Sequence, residues 1–344
     1  MDVEQAYPLV LAGQYGSPYT LKMRGVLRYR RIPFRWMLRD SKWDDLPDVP
    51  VRIIPVIAFP DADGNHGEVM VDSSPQIMRL EADHTSRSVV PADPALAFVD
   101  ALIEDFADEW LTKAMYHYRW AYAPDIDKAG KLLPLSQDLQ LDSDRAQQTY
   151  DHITQRQIGR RGLVGSTDWN APTIEGSFER VLDILQSQLS TRDFLLGDRP
   201  GRGDFGMFGQ LSQLARWDPT PMAVITERAP KVLNWVERLD DLSWLEVTDD
   251  DWGVIDALDP ATVDLLGEIG RTYAPFMVAN ARAVQSGAEE MVCEIDGREY
   301  RQGPFKYQAK CLMWLREGCE ALDTTDRARV DAVLDGTGCE VLFT

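Results

Sequence analysis

Three short segments near the N-terminus restrict the fold of this chain more than any bulk property does. They are GSPYTLKMR at 16–24, IIPVIAF at 53–59, and a third at 71–80 in which Val71, Asp72 and Ser73 lead into SPQIMRL. The first and third carry serine directly before proline. That is the pattern of a helix cap followed by proline in the first turn, where its missing N–H costs nothing. The middle one puts a proline at the mouth of a short apolar run. Between and around them the chain alternates. PLVLAGQ at 8–14 reads as a buried strand, Phe34–Leu38 as an alternating one, and 56–59 and 67–71 as a hairpin about the turn cluster DADGN. One helix runs from Ser17 to about Arg31 and another from Ser73 to about Glu81. A polar connection ending in Pro47 and Pro50 links the second strand to the hairpin.

The order βαβ, then ββα, is the thioredoxin-like arrangement. After Pro91 and Pro94 the pattern becomes helical, with candidate segments at 95–122, 143–161, 174–189, 204–215 and 231–239. From about 250 it changes again. Residues 260–283 read as a helix, 291–302 as a hairpin about Asp296-Gly297, and 306–322 and 326–334 as helices. The expected organisation is a thioredoxin-like unit over 1–88, an all-helical unit over 95–248, and a small α+β extension over 249–344.

Net charge is −20, from 36 basic and 56 acidic residues. Such a surface repels phosphate backbones and anionic lipid, so nucleic acid and membrane are not expected partners. No run approaches the roughly 18 apolar residues of a membrane helix. MDVEQAYPLVLAGQ carries acids where a signal peptide needs bases, so a cytoplasmic location is expected. The four cysteines (Cys293, Cys311, Cys319, Cys339) form no C-x-x-C and have no nearby histidine, and the four histidines are scattered. No metal is expected.

Each N-terminal segment has a chemical use besides its structural one. A serine at a helix start can favour a thiolate, both as a hydroxyl donor and through the field of the helix end. Ser17 occupies such a position, although a serine before proline is also a routine cap. An X-Pro bond opening a strand, here Ile54-Pro55, can present the neighbouring backbone at Val56 to an extended peptide as if a strand were being added. At Asp72-Ser73 a helix N-terminus and a hydroxyl can take a carboxylate, while the aspartate takes an ammonium.

Taken together, SPYTLKMR, IIPV and the Asp72-Ser73 pair before SPQIMRL resemble the Ser-Pro-aromatic opening, the cis-proline segment and the acid–serine site of the glutathione S-transferase family. FLLGDRPGRGDFGMFGQL at 194–211 resembles that family's buried helix signature, with Gly201 where a Ser/Thr cap is usual before Asp204. The resemblance covers about residues 8–245. It implies that glutathione is a co-substrate, that Ser17 activates the thiol, that Ile54, Pro55 and Val56 contact the cysteinyl part, and that Asp72 and Ser73 hold the γ-glutamyl end. Tyr15 and Tyr19 flank Ser17 and are alternative hydroxyls. Arg52 or Lys42 would meet the glycine carboxylate. By the same resemblance the helix holding Tyr116, His117 and Trp120 lines, with Tyr19, a pocket for a small aromatic or apolar electrophile, and two copies pair as a homodimer.

Three functions follow as alternatives. The first is a glutathione transferase. The second is a non-catalytic binding or scaffold protein on the same fold, its extension covering the cleft or making a protein interface. The third is a thiol redox protein using the tail cysteines, in which Cys311 and Cys319, eight residues apart on one helix, lie about 12 Å apart and cannot bridge directly, leaving a bond from Cys293 or Cys339. Gly201-x-Gly203-x-x-Gly206 matches a dinucleotide-binding pattern only formally, because no βαβ unit surrounds it and the glycines read as chance.

Overall fold

A computed structural model describes residues 7–49 and 51–344 of the chain. Residues 1–6, part of the N-terminal stretch read above, and Pro50 lie outside them. The first unit contains β1 (Leu9–Gly13), α1 (Pro18–Tyr29), β2 (Phe34–Leu38), β3 (Val56–Pro60), β4 (His66–Val71) and α2 (Ser73–Asp83). Its sheet runs β2-β1-β3-β4, with β1 parallel to β2 and the other pairs antiparallel. This is the thioredoxin-like order read from the sequence. Alternation along β1 sends Leu9 and Leu11 into the main core, and Val10 and Ala12 to the opposite face. That face is closed by Leu46 and Val49 from the connection after β2.

The helical part follows: α3 (Pro94–Phe106), α4 (Thr112–Ala121), α5 (Ala123–Gln137), α6 (Ser143–Ile158), α7 (Ala171–Gln188), α8 (Arg202–Ser212), α9 (Pro219–Arg228) and α10 (Pro230–Leu239). The run expected as one helix over 95–122 is continuous but carries a π turn at Ala107–Leu111 between α3 and α4. Such an inserted residue is frequent where a helix must re-aim side chains. The pattern did not suggest α5, which contains Gly130 and Pro134. The glycine is required by packing: a Cβ there would lie 2.6 Å from the Tyr150 ring of α6.

Helix α8 is buried between α1 and α3. Its glycines are close-approach positions rather than chance. A Cβ at Gly209 would sit 2.8 Å from the Pro18 carbonyl oxygen, and one at Gly206 3.2 Å from the Ala107 methyl. Gly201 has a different reason. The Asp204 carboxylate accepts from the Gly201 N–H at 2.9 Å and the Leu195 N–H at 3.0 Å, so half of a capping box survives. The missing cap oxygen comes from another helix. Asp100 of α3 accepts from the Gly203 N–H at 2.8 Å and the Arg202 N–H at 3.0 Å. A side chain at 201 would place its Cβ 2.6 Å from that carboxylate. Glycine therefore stands where a Ser/Thr cap is usual because the cap is supplied in trans.

The extension comprises α11 (Pro260–Glu268), α12 (Ala274–Ser286), β5 (Met291–Ile295), β6 (Arg298–Gln302), α13 (Lys306–Glu320) and α14 (Thr324–Leu334). The two strands pair about Asp296 and Gly297, both at positive φ, as the Asp-Gly signal requires. Far from hanging free, the extension shares the main core: Tyr273, Phe276, Tyr300 and Leu312 join it. Arg180 of α7 pairs with buried Glu268 at 2.7 Å, and Arg329 of α14 with Asp93 at 2.6 Å. Among the described residues no helix is long and apolar enough to cross a membrane.

Restoring the usual cap should harm this protein. Gly201→Ser is expected to displace Asp100 and lower stability by about 1–3 kcal/mol, measured by equilibrium urea unfolding. Unchanged or increased stability would contradict capping by Asp100.

Candidate active site

Ser17 lies in the turn between β1 and α1 with extended backbone, φ −107° and ψ 120°. Its Oγ accepts from the Thr20 N–H at 3.3 Å, which is the expected cap. Among the described residues no acceptor takes its hydroxyl proton, so the serine can still donate. The residue is 8% exposed. The turn is clamped from the helical part. Arg119 of α4 donates from Nη1 to the Gly16 carbonyl at 2.7 Å, and Gln213 donates to the Tyr15 carbonyl at 3.3 Å. Arg119 is buried and held by Asp218 at 2.9 Å and by the Gln213 side-chain oxygen at 2.9 Å. Leu133 of α5 packs on Gly16, where a Cβ would come within 2.4 Å.

The Ile54–Pro55 peptide bond is cis. The Pro55 carbonyl accepts from Gln76 of α2 at 3.1 Å. Val56 departs from expectation. It is fully buried and registers with Ala12 of β1 on one side and Val71 of β4 on the other. Both of its backbone edges face strands, so a peptide ligand has no free edge at Val56. Ile54, half-buried and outside the ladders, is the nearest position where one remains.

Asp72 opens α2 at φ 78°, and its side chain makes no bond to its own helix. Instead Oδ2 accepts from the Tyr307 hydroxyl of α13 at 2.6 Å. Ser73, almost fully buried, accepts from the Lys22 ammonium at 3.2 Å. Lys22 is the hub. Wholly buried in α1, it also meets Glu104 at 2.6 Å and Asp108 at 2.5 Å. Burial opposes its charge, but Asp108 and Glu104 outweigh burial and hold its pKa above the usual lysine value. Ser74 donates to Glu104 at 2.9 Å. The start of α2 is thus tied to α3 through one ammonium.

The π turn sets its two acids, Asp108 and Glu109, beside Glu104 and Asp105 of α3, and the four outnumber the bases available. Burial, then the charges of Asp105 and Asp108, push Glu109 up to about 8. Burial pushes Asp105 up to about 7, against a hydrogen bond from Tyr273, and Asp108 up to about 6, against Lys22. On the far side Lys113, fully buried and bonded to the Gln302 side chain at 2.8 Å, is lowered by burial to about 7.

The hydroxyls and aromatics divide. Tyr19 donates to the Asp108 carbonyl at 2.8 Å, and burial followed by Glu109 and Asp108 raises its pKa well above the ordinary phenol. Its proton is already engaged. Tyr15 is exposed, its ring 5.2 Å from that of Trp36. The structure does not gather Tyr116 and His117 about Ser17. The Tyr116 hydroxyl bonds the Gln157 carbonyl of α6 at 2.9 Å. The His117 ring lies 2.9 Å from Ser166 Oγ and 2.9 Å from Glu175. Trp120 is buried, its ring 6.4 Å from that of Tyr116. Lys42 meets Gln140 and Arg52 meets Asp48, both at the surface. All four cysteines are free. Burial raises Cys293 to about 11 and Cys339 to about 12, and it also raises Cys311 and Cys319, so none is a ready thiolate.

Lys22, Arg119 and Tyr307 were not anticipated. The first had one legible signal: acids at 104, 105, 108 and 109, spaced for one helix face within an apolar run, require a buried base. Tyr307 had none, being 235 residues from its partner.

Residues 11–88 match the family model described as glutathione S-transferase, N-terminal domain, and residues 144–238 match glutathione S-transferase, C-terminal domain. Solved structures similar to the chain include a glutathione S-transferase of Methylobacterium radiotolerans in complex with glutathione sulfonate. It is 17% identical with TM-score 0.38, over 70% of this chain and 97% of that one. Another is a glutathione transferase of Pseudomonas putida with glutathione disulfide bound, at 14% identity and TM-score 0.37, over 72% and 90%. A third is a beta-etherase of Sphingobium, at 15% identity and TM-score 0.43, over 67% and 94%. No curated protein matches the chain.

The acid cluster makes stability pH-dependent. Asp105, Asp108 and Glu109 have folded pKa values above the unfolded value of about 4, so folding takes up protons. Their contribution is complete below about pH 4 and is lost as pH rises through 6 to 8. Lys113 acts in the opposite sense above about pH 7. The thermal midpoint is expected to fall from pH 6 to pH 8, and Glu109→Gln should flatten that slope. A midpoint that rises over this range would contradict the assignment.

Proposed function

The chain belongs to the glutathione S-transferase family, and from that premise we propose that it binds glutathione beside Ser17 and transfers its thiolate to a small electrophile. The observation that carries this reading is the Ser17 hydroxyl at the start of α1, which accepts from the Thr20 N–H and whose proton no acceptor takes among the described residues. A bound thiol would lose its proton to solvent. The serine O–H and the positive end of α1 would then stabilise the sulfur anion. The thiolate attacks an electrophilic carbon, a C–S bond forms, and the leaving group departs with the electron pair. The cysteinyl part would lie along Ile54 and Pro55. The γ-glutamyl carboxylate would meet Ser73 and the first N–H groups of α2, and the ammonium would meet Asp72. In this reading the protein is cytoplasmic, needs no metal, and pairs with a second copy.

Another observation favours the second reading, a binding or scaffold protein without turnover. Ser17, Val56 and Ser73 are each less than a tenth exposed, and the extension already touches Asp72. Turnover with a panel of generic electrophiles separates the two, because a scaffold shows none above background.

Isothermal titration with glutathione tests binding, and absence of heat at millimolar ligand removes the proposal. Given binding, Ser17→Ala is expected to abolish the ultraviolet thiolate band near neutral pH and to reduce turnover on the order of 10²-fold, as for loss of one hydrogen-bond donor to a reacting anion. An unchanged band would show that another group activates the thiol.

A further inference from the structure

We infer that the extension supplies a working part of the ligand site: Tyr307 of α13 is a positioning residue that aims the Asp72 carboxylate at the ammonium of a γ-glutamyl ligand. The inference rests on the glutathione reading above and extends it to a segment beyond the residues matched to the family.

Asp72 is poorly fixed by its own surroundings in sequence. At φ 78° it stands in a conformation that L-residues seldom adopt, and its side chain makes no cap bond to α2. Left alone, that carboxylate would sample several rotamers and face water. Tyr307 removes this freedom. Its hydroxyl donates to Oδ2 at 2.6 Å, while Oδ1 takes no hydrogen bond among the described residues and is not sealed from solvent. One oxygen is anchored and the other is open. That is the arrangement a carboxylate needs to meet an ammonium with little further ordering. Burial raises the Tyr307 pKa far above the ordinary phenol, so the group remains a donor.

Tyr307 is itself held rigidly. The start of α13 is clamped by a reciprocal pair: the Phe305 N–H donates to Asn280 Oδ1 at 2.7 Å, and Asn280 Nδ2 donates to the Phe305 carbonyl at 2.9 Å. One residue past Tyr307, Gln308 donates to the Glu109 carbonyl in the π turn at 3.2 Å. Rings on either side lie close, Phe305 and Trp314 each with centroids 6.4 Å from that of Tyr307. These neighbours lower the local dielectric, so a charge pair formed at Asp72 is stronger than it would be at an open surface. Nothing in the fold requires a tyrosine hydroxyl for this packing; phenylalanine would fill the same volume.

The test compares two ligands by isothermal titration: glutathione, and glutaryl-cysteinyl-glycine, which has the same skeleton without the amine. The wild-type protein should prefer glutathione, and Asp72→Asn should abolish the preference. Tyr307→Phe should weaken glutathione roughly tenfold, the scale of one hydrogen bond to a charged group. It should leave the glutaryl ligand within about twofold and have no further effect in the Asp72→Asn background. Equal weakening of both ligands, no change, or tighter glutathione binding overturns the inference, the last because Tyr307 would then be a competitor for Asp72. If the wild type binds neither ligand, the proposed function fails first and this inference falls with it. Should Tyr307→Phe not fold, hydrogen exchange on the wild type decides. Glutathione, but not the glutaryl ligand, is expected to slow exchange at residues 305–309, and equal or absent protection overturns the inference.

Discussion

A single buried ammonium joins the parts of this molecule. Lys22 leaves α1, enters the space between the sheet-bearing unit and the helical part, and meets Glu104, Asp108 and Ser73 at once. Burying a charge is unfavourable unless it is paired and hydrogen-bonded, and losing one partner of a buried pair costs about 3–5 kcal/mol. The geometry of the candidate site follows from meeting that condition. Ser17 caps the helix that carries Lys22, Ser73 opens the helix that Lys22 touches, and Asp108 belongs to the π turn that Lys22 holds. The interaction is weak evidence for extra stability, because hydrophobic residues could also fill the space. What it supplies, together with the Arg119–Gly16 and Tyr19–Asp108 bonds, is register between the sheet-bearing unit and the helical part.

Close backbone approach is the second constraint. Helix α8 lies against both α1 and α3 because glycine stands at 206 and 209. This proximity brings Lys22 within reach of α3, and it lets Asp100 take over the cap that position 201 does not supply. Arg119 performs a matching task from α4, pinning the Gly16 carbonyl immediately before Ser17. The helical part thus holds the turn that carries the candidate catalytic hydroxyl, rather than only walling a pocket beside it.

The extension changes how the site is read. Its residues join the common core, and Tyr307 reaches the aspartate at the start of α2. A site assembled from segments more than 200 residues apart is coupled to the packing of all of them. The low exposure of Ser17 and Ser73 is the local sign of that coupling.

Much of the architecture was legible in short-range chemistry. The serine–proline cap of α1, β2 at Phe34–Leu38 and the Asp-Gly hairpin depend on local preferences that a few adjacent residues express, whereas the serine expected to cap the second helix before Pro75 lies inside α2, which opens at Asp72 without a side-chain cap. Helix α5 was not legible, because Gly130 and Pro134 oppose a helix locally and only contact with α6 overrides them. The burial of Val56 on both edges, the partners of Tyr116 and His117, and the reach of Tyr307 to Asp72 are long-range facts. By itself the sequence determined most of the elements, though neither α5 nor α9, and which hydroxyl and carboxylate stand at the starts of α1 and α2. Only the tertiary structure decided which of those groups are open, clamped or already engaged, because hydrogen-bond partners are set by distance in space and burial by the packing of the whole chain.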